Sequence, residues 1–292
     1  MDNWDEIKTA YQVARMGTVS GAGDVLGVHH ATVIRHIDAL EARLGVKLFQ
    51  RHARGYTPTE AGEDLLRVAQ ATDDQFSQLA GRIKGRGADV SGELVVTSLV
   101  ALASQIAPLL TRFQHMNSDV TVRYLTGERL FRLEYGEAHV AIRAGIAPDQ
   151  PDNVVQPLAN QQVGAYASRS YAETHGLPQS KSDYAKHRFV AHDDQDSRAP
   201  FNIWLRNNVA EQAITFRCTD SRASEAAVLA GAGIGFFATV DAKQHPDLIE
   251  VHSPRPEWSV PLWLVTHVDL HRTSKVQALQ NFIKEQMQQA AT

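Results

Sequence analysis

Residues 26–51 read LGVHHATVIRHIDALEARLGVKLFQR, and this stretch decides the fold of the N-terminal part of the chain. Apolar side chains recur within it at spacings of four, three and four, which predicts a helix from about residue 30 to 44 with these residues inward: Val33, Ile37, Leu40 and Leu44. Gly27 and Gly45 mark the two ends of that helix. Its outward face carries His30, Thr32, Arg35, His36 and Arg43.

Two shorter helical patterns precede this helix. The first has an apolar face that runs from Trp4 to Ala14, and the second contains Ala22 and ends at Gly27. Three helices with a glycine turn between the second and the third are typical of a helix-turn-helix. After the third helix, the basic stretch 51–55 predicts an exposed hairpin, which is the wing of a winged helix-turn-helix.

Basic residues are concentrated in this part of the sequence. The segment from Gly27 to Pro58 has a formal charge of +3, from five basic and two acidic side chains, whereas the whole chain of 292 residues carries −4. A local basic patch on a helix and wing can neutralise DNA phosphates. Charge alone fits a small helical domain with a solvated basic face better than a DNA-binding domain, so the DNA-binding interpretation depends on the motif.

Together with YTPTEAG at residues 56–62, the stretch 26–51 resembles the DNA-binding domain of LysR-type transcriptional regulators. The match is long and free of gaps, and the rest of the chain has the length of that family's effector domain. His30 stands where the family often has Gln, and Ile34 where it often has Ser, so the operator sequence cannot be carried over. The resemblance and the outward helix face predict DNA contacts by His30, Thr32, Arg35, His36, Arg51 and Arg54.

A long amphipathic helix is predicted from Thr59 to about Lys84. Its apolar stripe alternates spacings of four and three, a heptad pattern typical of coiled-coil pairing: Leu65, Ala69, Thr72, Phe76, Leu79 and Ile83. The pattern fits either packing against its own domain or pairing with a second copy of the chain. The resemblance favours a dimer and implies a tetramer built as a dimer of dimers.

Strand and helix patterns alternate after the glycine-rich stretch 85–89, which predicts an α/β domain. The order β-α-β-α-β over residues 93–143 implies a mostly parallel sheet, and a second block runs from about 161 to 265 with a strand at Leu262–Val265. The resemblance implies two lobes like those of periplasmic binding proteins. The predicted domains are a winged helix-turn-helix (1–58), a linker helix and hinge (59–88) and an effector-binding domain (89–292), with lobe I at about 91–160 and 267–292 and lobe II at about 161–266.

Small polar side chains follow several predicted strands of this domain. Ser98, Thr126 and Ser221 precede helices, whose first N–H groups attract anions. Arg143 and His192 also follow strands, and Arg143 can pair with a carboxylate. These five residues predict a site for a small anionic effector between the lobes. Each hydroxyl also fits a helix cap that binds nothing, and Arg143 also fits a salt bridge across the cleft.

Several other classes of protein do not fit the sequence. The single cysteine, Cys218, excludes an intramolecular disulfide, and the acidic N-terminus and short apolar runs predict neither a signal peptide nor a membrane span. We therefore expect a cytoplasmic protein. The chain has no phosphate-binding loop, nucleophile elbow or zinc-protease motif, so no catalytic residue, metal or cofactor is expected.

The resulting hypothesis is a DNA-binding transcription regulator that is controlled by a small-molecule effector. Its expected partners are double-stranded promoter DNA with two half-sites, a second copy of the chain, and RNA polymerase. Two alternatives remain at this point. One is a constitutive or architectural DNA-binding protein whose α/β domain serves only oligomerisation, and the other is an enzyme with an attached DNA-binding domain.

Overall fold

The computed structural model describes residues 4–52, 55–83, 90–127, 131, 133 and 137–291. The α-helices are α1 (Trp4–Met16), α2 (Val19–Leu26), α3 (His30–Leu44), α4 (Glu60–Ile83), α5 (Ala103–Met116), α6 (Arg169–His175), α7 (Pro200–Asn208), α8 (Ser221–Leu229), α9 (Thr239–Ala242), α10 (Val268–His271) and α11 (Ser274–Ala291). The strands are β1 (Phe49–His52), β2 (Gly55–Pro58), β3 (Gly92–Ser98), β4 (Val120–Thr126), β5 (Val140–Ala144), β6 (Asn153–Gln161), β7 (Val163–Ser168), β8 (Phe189–His192), β9 (Ile214–Cys218), β10 (Gly235–Ala238), β11 (Leu248–His252) and β12 (Val260–His267). Within the described ranges, no helix is both long enough and apolar enough to span a membrane.

The first three helices pack around one apolar core, to which α3 contributes Val33, Ile37 and Leu40. Leu44, which was also predicted to face inward, is 38% exposed at the C-terminal end of α3. A sharp turn joins α2 to α3 at Gly27, whose φ of 66° lies in the left-handed region that favours glycine. β1 and β2 form an antiparallel hairpin after α3. A Cβ atom on Gly55 of this hairpin would lie 2.3 Å from the carbonyl oxygen of Gly17, so the wing fits against the α1–α2 turn only with glycine there.

The carboxylate of Glu41 fastens the end of α3 to the wing. Glu41 is 3% exposed, and its Oε1 accepts hydrogen bonds from the backbone N–H of Leu48 at 2.9 Å and of Phe49 at 3.2 Å. Its Oε2 accepts from Nζ of Lys47 at 2.6 Å and from Arg51 at 3.3 Å. Burial alone would raise the pKa of Glu41, but these hydrogen bonds outweigh it and hold the pKa below its ordinary value.

The first half of α4 packs against α1 of its own domain. Leu65 and Ala69 of the heptad pattern contact the core of the winged unit, which agrees with the alternative that α4 packs against its own domain at these positions. Phe76 is 53% exposed and makes an edge-to-face contact with Trp4, which is itself 59% exposed. An apolar surface therefore remains on α4 after the intramolecular packing. Two further seam positions have side chains outside the described part of the chain: Leu79 and Ile83.

The first sheet of the α/β part has the strand order β4-β3-β5-β12-β6. β4, β3 and β5 are parallel, whereas β12 is antiparallel to both β5 and β6. α5 and α11 cover a core that includes Phe113, Phe282 and Ile283. The sheet is thus mixed and not mostly parallel, because a strand from far along the sequence inserts beside β5. The sequence pattern predicts the second helix of the β-α-β-α-β order over residues 128–135, and most of these residues lie outside the described part of the chain.

The second sheet has the order β10-β7-β11, with both outer strands antiparallel to β7. The parallel pair β8–β9 lies beside it, and a single bridge connects Phe189 with Ile234. A second apolar core surrounds Trp258, which is fully buried, and includes Tyr171 and Leu205. The α/β part therefore has two lobes, each with its own sheet and its own core.

The chain passes between the lobes along two adjacent strands. β6 of the first sheet ends at Gln161, and β7 of the second begins at Val163. The return was expected near residue 267, with Leu262–Val265 in lobe II. That placement is wrong, because β12 pairs with β5 and β6 in the first sheet, so the return falls between β11 and β12. Since Gln161 pairs with Val260, the two crossings lie side by side and form a two-strand hinge.

Removing the Glu41 carboxylate should loosen the joint between α3 and the wing. Glu41→Ala leaves two buried backbone N–H groups without an acceptor, and the loss of such a buried network costs about 3 kcal/mol. We expect amide exchange in residues 45–52 to accelerate about 100-fold at neutral pH, measured by hydrogen-exchange mass spectrometry. Because the folded pKa is lowered, this stabilisation is present above the unfolded pKa and disappears as the pH falls through the folded value.

The exposed Glu63 provides a matched control, and Glu63→Ala should leave exchange in residues 45–52 unchanged. Parent-like exchange in Glu41→Ala would contradict the role assigned to this carboxylate.

Candidate DNA-binding face and effector cleft

The outward face of α3 presents polar side chains to solvent. His30 and Arg35 are exposed, and Thr32 is half-buried. Among the described residues, Arg35 has no hydrogen-bond or ion-pair partner, so its guanidinium is available for a phosphate or for a guanine edge. Arg54, which was also predicted to contact DNA, lies outside the described residues.

Two other predicted DNA contacts are engaged within the protein. Nδ1 of His36 lies 2.9 Å from Oγ1 of Thr9, so this half-buried ring faces α1. Arg51 donates to Asp38 at 2.5 Å and to Glu41 at 3.3 Å, which ties the wing to α3. Each residue thus uses one ring or guanidinium nitrogen within the winged unit, and its contact with DNA stays a prediction.

A cavity of about 980 Å³ lies between the two lobes. Its walls come from the ends of β3, β4 and β5, from α7, α8 and β10, and from Gln161 and Val260 of the hinge. The volume is at the upper end of that typical for sites that bind small molecules. Much of the wall is apolar and includes Leu99, Val100, Ile146, Phe201 and Phe236.

His192 and Ser221 are the predicted effector residues that line this cavity. Ser98 is fully buried, and its hydroxyl lies 2.6 Å from the hydroxyl of Tyr124 and donates to the carbonyl of Leu99 at 2.9 Å. Thr126 is exposed at the end of β4 but is not part of the wall. The strand ends are therefore at the cleft, whereas the side chains of Ser98 and Thr126 point elsewhere.

Arg143 was expected to pair with a carboxylate of the effector. Its half-buried guanidinium donates instead to the carbonyl oxygen of Phe131 at 3.1 Å, and Arg143 does not line the cavity. Burial lowers the pKa of this guanidinium. The geometry therefore removes the side chain on which the prediction of an anionic effector chiefly rested.

Two carboxylates on or next to α8, which the sequence did not reveal as site residues, line the cavity. Asp220 caps α8 and accepts hydrogen bonds from the backbone N–H of Arg222 at 2.8 Å and of Ala223 at 3.2 Å. Glu225 is half-buried and has no hydrogen-bond or ion-pair partner among the described residues. Its spacing of four from Ser221 puts both side chains on one helix face, so helical periodicity could have revealed it.

A third carboxylate bridges the cleft. Asp241 of lobe II is 6% exposed and accepts hydrogen bonds from Oγ of Ser104 at 2.7 Å and from Nε2 of Gln105 at 3.1 Å, both in the first turn of α5 in lobe I. Burial raises the pKa of Glu225, and the nearby charge of Asp241 adds to this rise. No local pattern links residues 104 and 241, so this contact depends on tertiary structure.

Neutralising Glu225 should stabilise the unliganded protein. A carboxyl with a raised folded pKa makes stability fall as the pH rises from the unfolded towards the folded value. We therefore expect Glu225→Gln to melt at a higher temperature than the parent at pH 7, with the difference shrinking towards acidic pH. Thermal denaturation over a pH series measures this, and Glu173→Gln, at an exposed glutamate of α6, is the control. A lower melting temperature at pH 7 would contradict the burial argument.

Comparison with known proteins extends these observations. Two protein-family models match the chain. The family described as bacterial regulatory helix-turn-helix protein, lysR family, matches residues 4–63, and the family described as LysR substrate binding domain matches residues 87–288. The chain is 26% identical over 297 residues to the HTH-type transcriptional repressor PA14_22550 of Pseudomonas aeruginosa, covering 98% of this chain and 92% of the relative. It is 28% identical to the regulator IlvY of Escherichia coli, covering 86% and 84%.

Solved structures of full-length regulators share the fold. CrgA from Neisseria meningitidis superposes with a TM-score of 0.60 at 21% identity, covering 98% of this chain and 99% of that one. Full-length CbnR complexed with its target DNA superposes with a TM-score of 0.62 at 22% identity, with the same coverage. The chain therefore belongs to the LysR family of bacterial regulators and is a DNA-binding transcription regulator with a C-terminal effector-binding domain.

Proposed function

We propose that this regulator binds promoter DNA through α3 and the wing, and that a small molecule in the interlobe cavity changes this binding. One observation carries the proposal: a single chain combines an Arg35 that has no partner among the described residues with a cavity of about 980 Å³ at a two-strand hinge. The proposed DNA contacts are His30, Thr32, Arg35, His36, Arg51 and Arg54. The proposed division into domains is 1–58, 59–88 and 89–292, and the site of action is the cytoplasm.

A dimer formed through α4 would display two winged units to two half-sites of DNA. The exposed pair of Trp4 and Phe76 supports this proposal, because it leaves an apolar surface on α4 next to the winged unit. The family match supports oligomers in general. A tetramer and a contact with RNA polymerase are the further parts of this proposal.

The coupling between ligand and DNA would act through lobe closure. Asp241 joins lobe II to α5 of lobe I, so a ligand that competes with or strengthens this contact shifts the balance between open and closed lobes. A filled cleft without polar groups, with Arg143 engaged in a salt bridge, would have favoured the constitutive alternative. Arg143 does bond elsewhere, to the carbonyl of Phe131, but the lobes enclose a cavity whose wall contains polar groups such as Glu225, which supports a ligand-responsive regulator.

Footprinting on the DNA upstream of the chain's own gene tests the recognition face. The parent should protect two half-sites on one face of the duplex, and Arg35→Ala should weaken binding about 10- to 100-fold by removing a base or phosphate contact. Both proteins must be compared at one stated salt concentration, because phosphate contacts are salt-dependent. The matched control is Arg123→Ala, which removes an equal charge from an exposed position on β4.

The control should bind like the parent. Equal affinity of Arg35→Ala and the parent, on this DNA and on random DNA, would show that α3 does not read the duplex in the proposed way.

A further inference from the structure

Two of the helix N-termini at the cavity have one of the chain's own carboxylates beside them. Asp220 accepts the first N–H groups of α8, and Asp241 lies at the first turn of α5 through its bonds to Ser104 and Gln105. Helix N-termini are where an anion would bind in this type of fold. A second negative charge at either position would meet an aspartate, so these two helix ends disfavour an anionic ligand.

The N-terminus of α7, which also lines the cavity, offers few free donors. Its first residue, Pro200, has no N–H group, and the N–H of Asn202 already donates to the carbonyl of Ala199 at 3.0 Å. The third helix end at the cleft is therefore also poorly suited to an anion.

Cationic side chains are sparse in the described wall. Nδ1 of His192 accepts a hydrogen bond from the backbone N–H of Asp194 at 3.0 Å, and its Nε2 lies 3.1 Å from the carbonyl oxygen of Thr219. Both ring nitrogens of His192 therefore lie against backbone groups of the chain. Arg198 is the other basic side chain of the described wall, which also contains three carboxylates.

Glu225 differs from the other two carboxylates of the wall because no described residue donates to it. It is half-buried, and burial followed by the charge of Asp241 raises its pKa, which the charge of Arg222 offsets only in part, so its surroundings disfavour the ionised form. A ligand cation would remove this penalty. The same cavity contains Phe201 and Phe236, whose ring centres lie 5.4 Å apart and offer an apolar surface.

We propose that the effector is an organic cation, a protonated amine on an apolar body, and that Glu225 binds the ammonium group while Phe201 and Phe236 contact the apolar body. This inference rests on the proposed function and replaces the small anion expected from the sequence. It specifies the chemical class of the ligand and assigns to Glu225 the selection of a positively charged ligand.

Matched probes with one skeleton and three different head groups test this inference on the full-length chain. The probes are tryptamine, tryptophol and indole-3-acetate, and heptylamine, heptanol and heptanoate, with binding measured by calorimetry at pH 7. In at least one skeleton the amine should bind about tenfold or more tightly than the alcohol and the carboxylate, because only the amine pairs with Glu225. Glu225→Gln should reduce the ratio of amine to alcohol affinity to about one, whereas Glu173→Gln should keep the parent's ratio.

A carboxylate that binds as tightly as the matched amine, an amine preference that persists in Glu225→Gln, or no binding by any of the six probes would each overturn the inference. Footprints measured with Ala101→Trp separate a failure of this inference from a failure of the proposed function. Ala101 is an exposed residue of the cavity wall, and a tryptophan at this position should fill part of the cavity. A carboxylate that binds and alters the parent footprint leaves a ligand-responsive regulator with a different ligand class. The proposed function itself would be contradicted by two results together: the probes bind to the parent without changing its footprint, and Ala101→Trp binds DNA like the parent.

Discussion

The pairing of β6 with β12 is the constraint on which the regulatory part of this molecule depends. These two strands carry the chain out of lobe I and back into it, and their pairing places Gln161 beside Val260. Because both crossings are adjacent, the lobes are joined at one edge and the space between them stays open as the cavity. Away from the hinge, the contact of Asp241 with α5 gives the two lobes a second connection, one that can break without unfolding either core.

The winged unit could be predicted closely from sequence because its determinants are local. The spacing of Val33, Ile37 and Leu40 defines the buried face of α3, and Gly27 and Gly45 end α2 and α3 in the left-handed conformation. The position of β12 could not be predicted in this way. Its apolar pattern fits a buried strand in either lobe, and its partners β5 and β6 lie about 100 residues earlier in the chain.

The proposed effector site likewise has a part that could be predicted from the sequence and a part that could not. The rule that ligands bind beyond strand ends in α/β folds placed the cavity correctly at the ends of β3, β4 and β5. It does not give the direction of a side chain, and so Ser98 turns to Tyr124 and Arg143 turns to the carbonyl of Phe131. Asp241 reaches the cleft only because α9 packs beside α5 in the folded domain, and this proximity leaves no local signal in the sequence.

Under the proposed function the cleft and the DNA-binding face are energetically coupled, and coupling of this kind is reciprocal. Spin labels can be attached at Met116→Cys in lobe I and at Lys181→Cys in lobe II, in a chain that also carries Cys218→Ser. Pulsed electron paramagnetic resonance then measures the distance between the two labels within one chain, because the labelled chain is diluted with unlabelled chain. We expect operator DNA to shift the distribution of this distance, whereas random DNA of equal length leaves it as in the free protein. Identical distributions in all three samples would contradict the account.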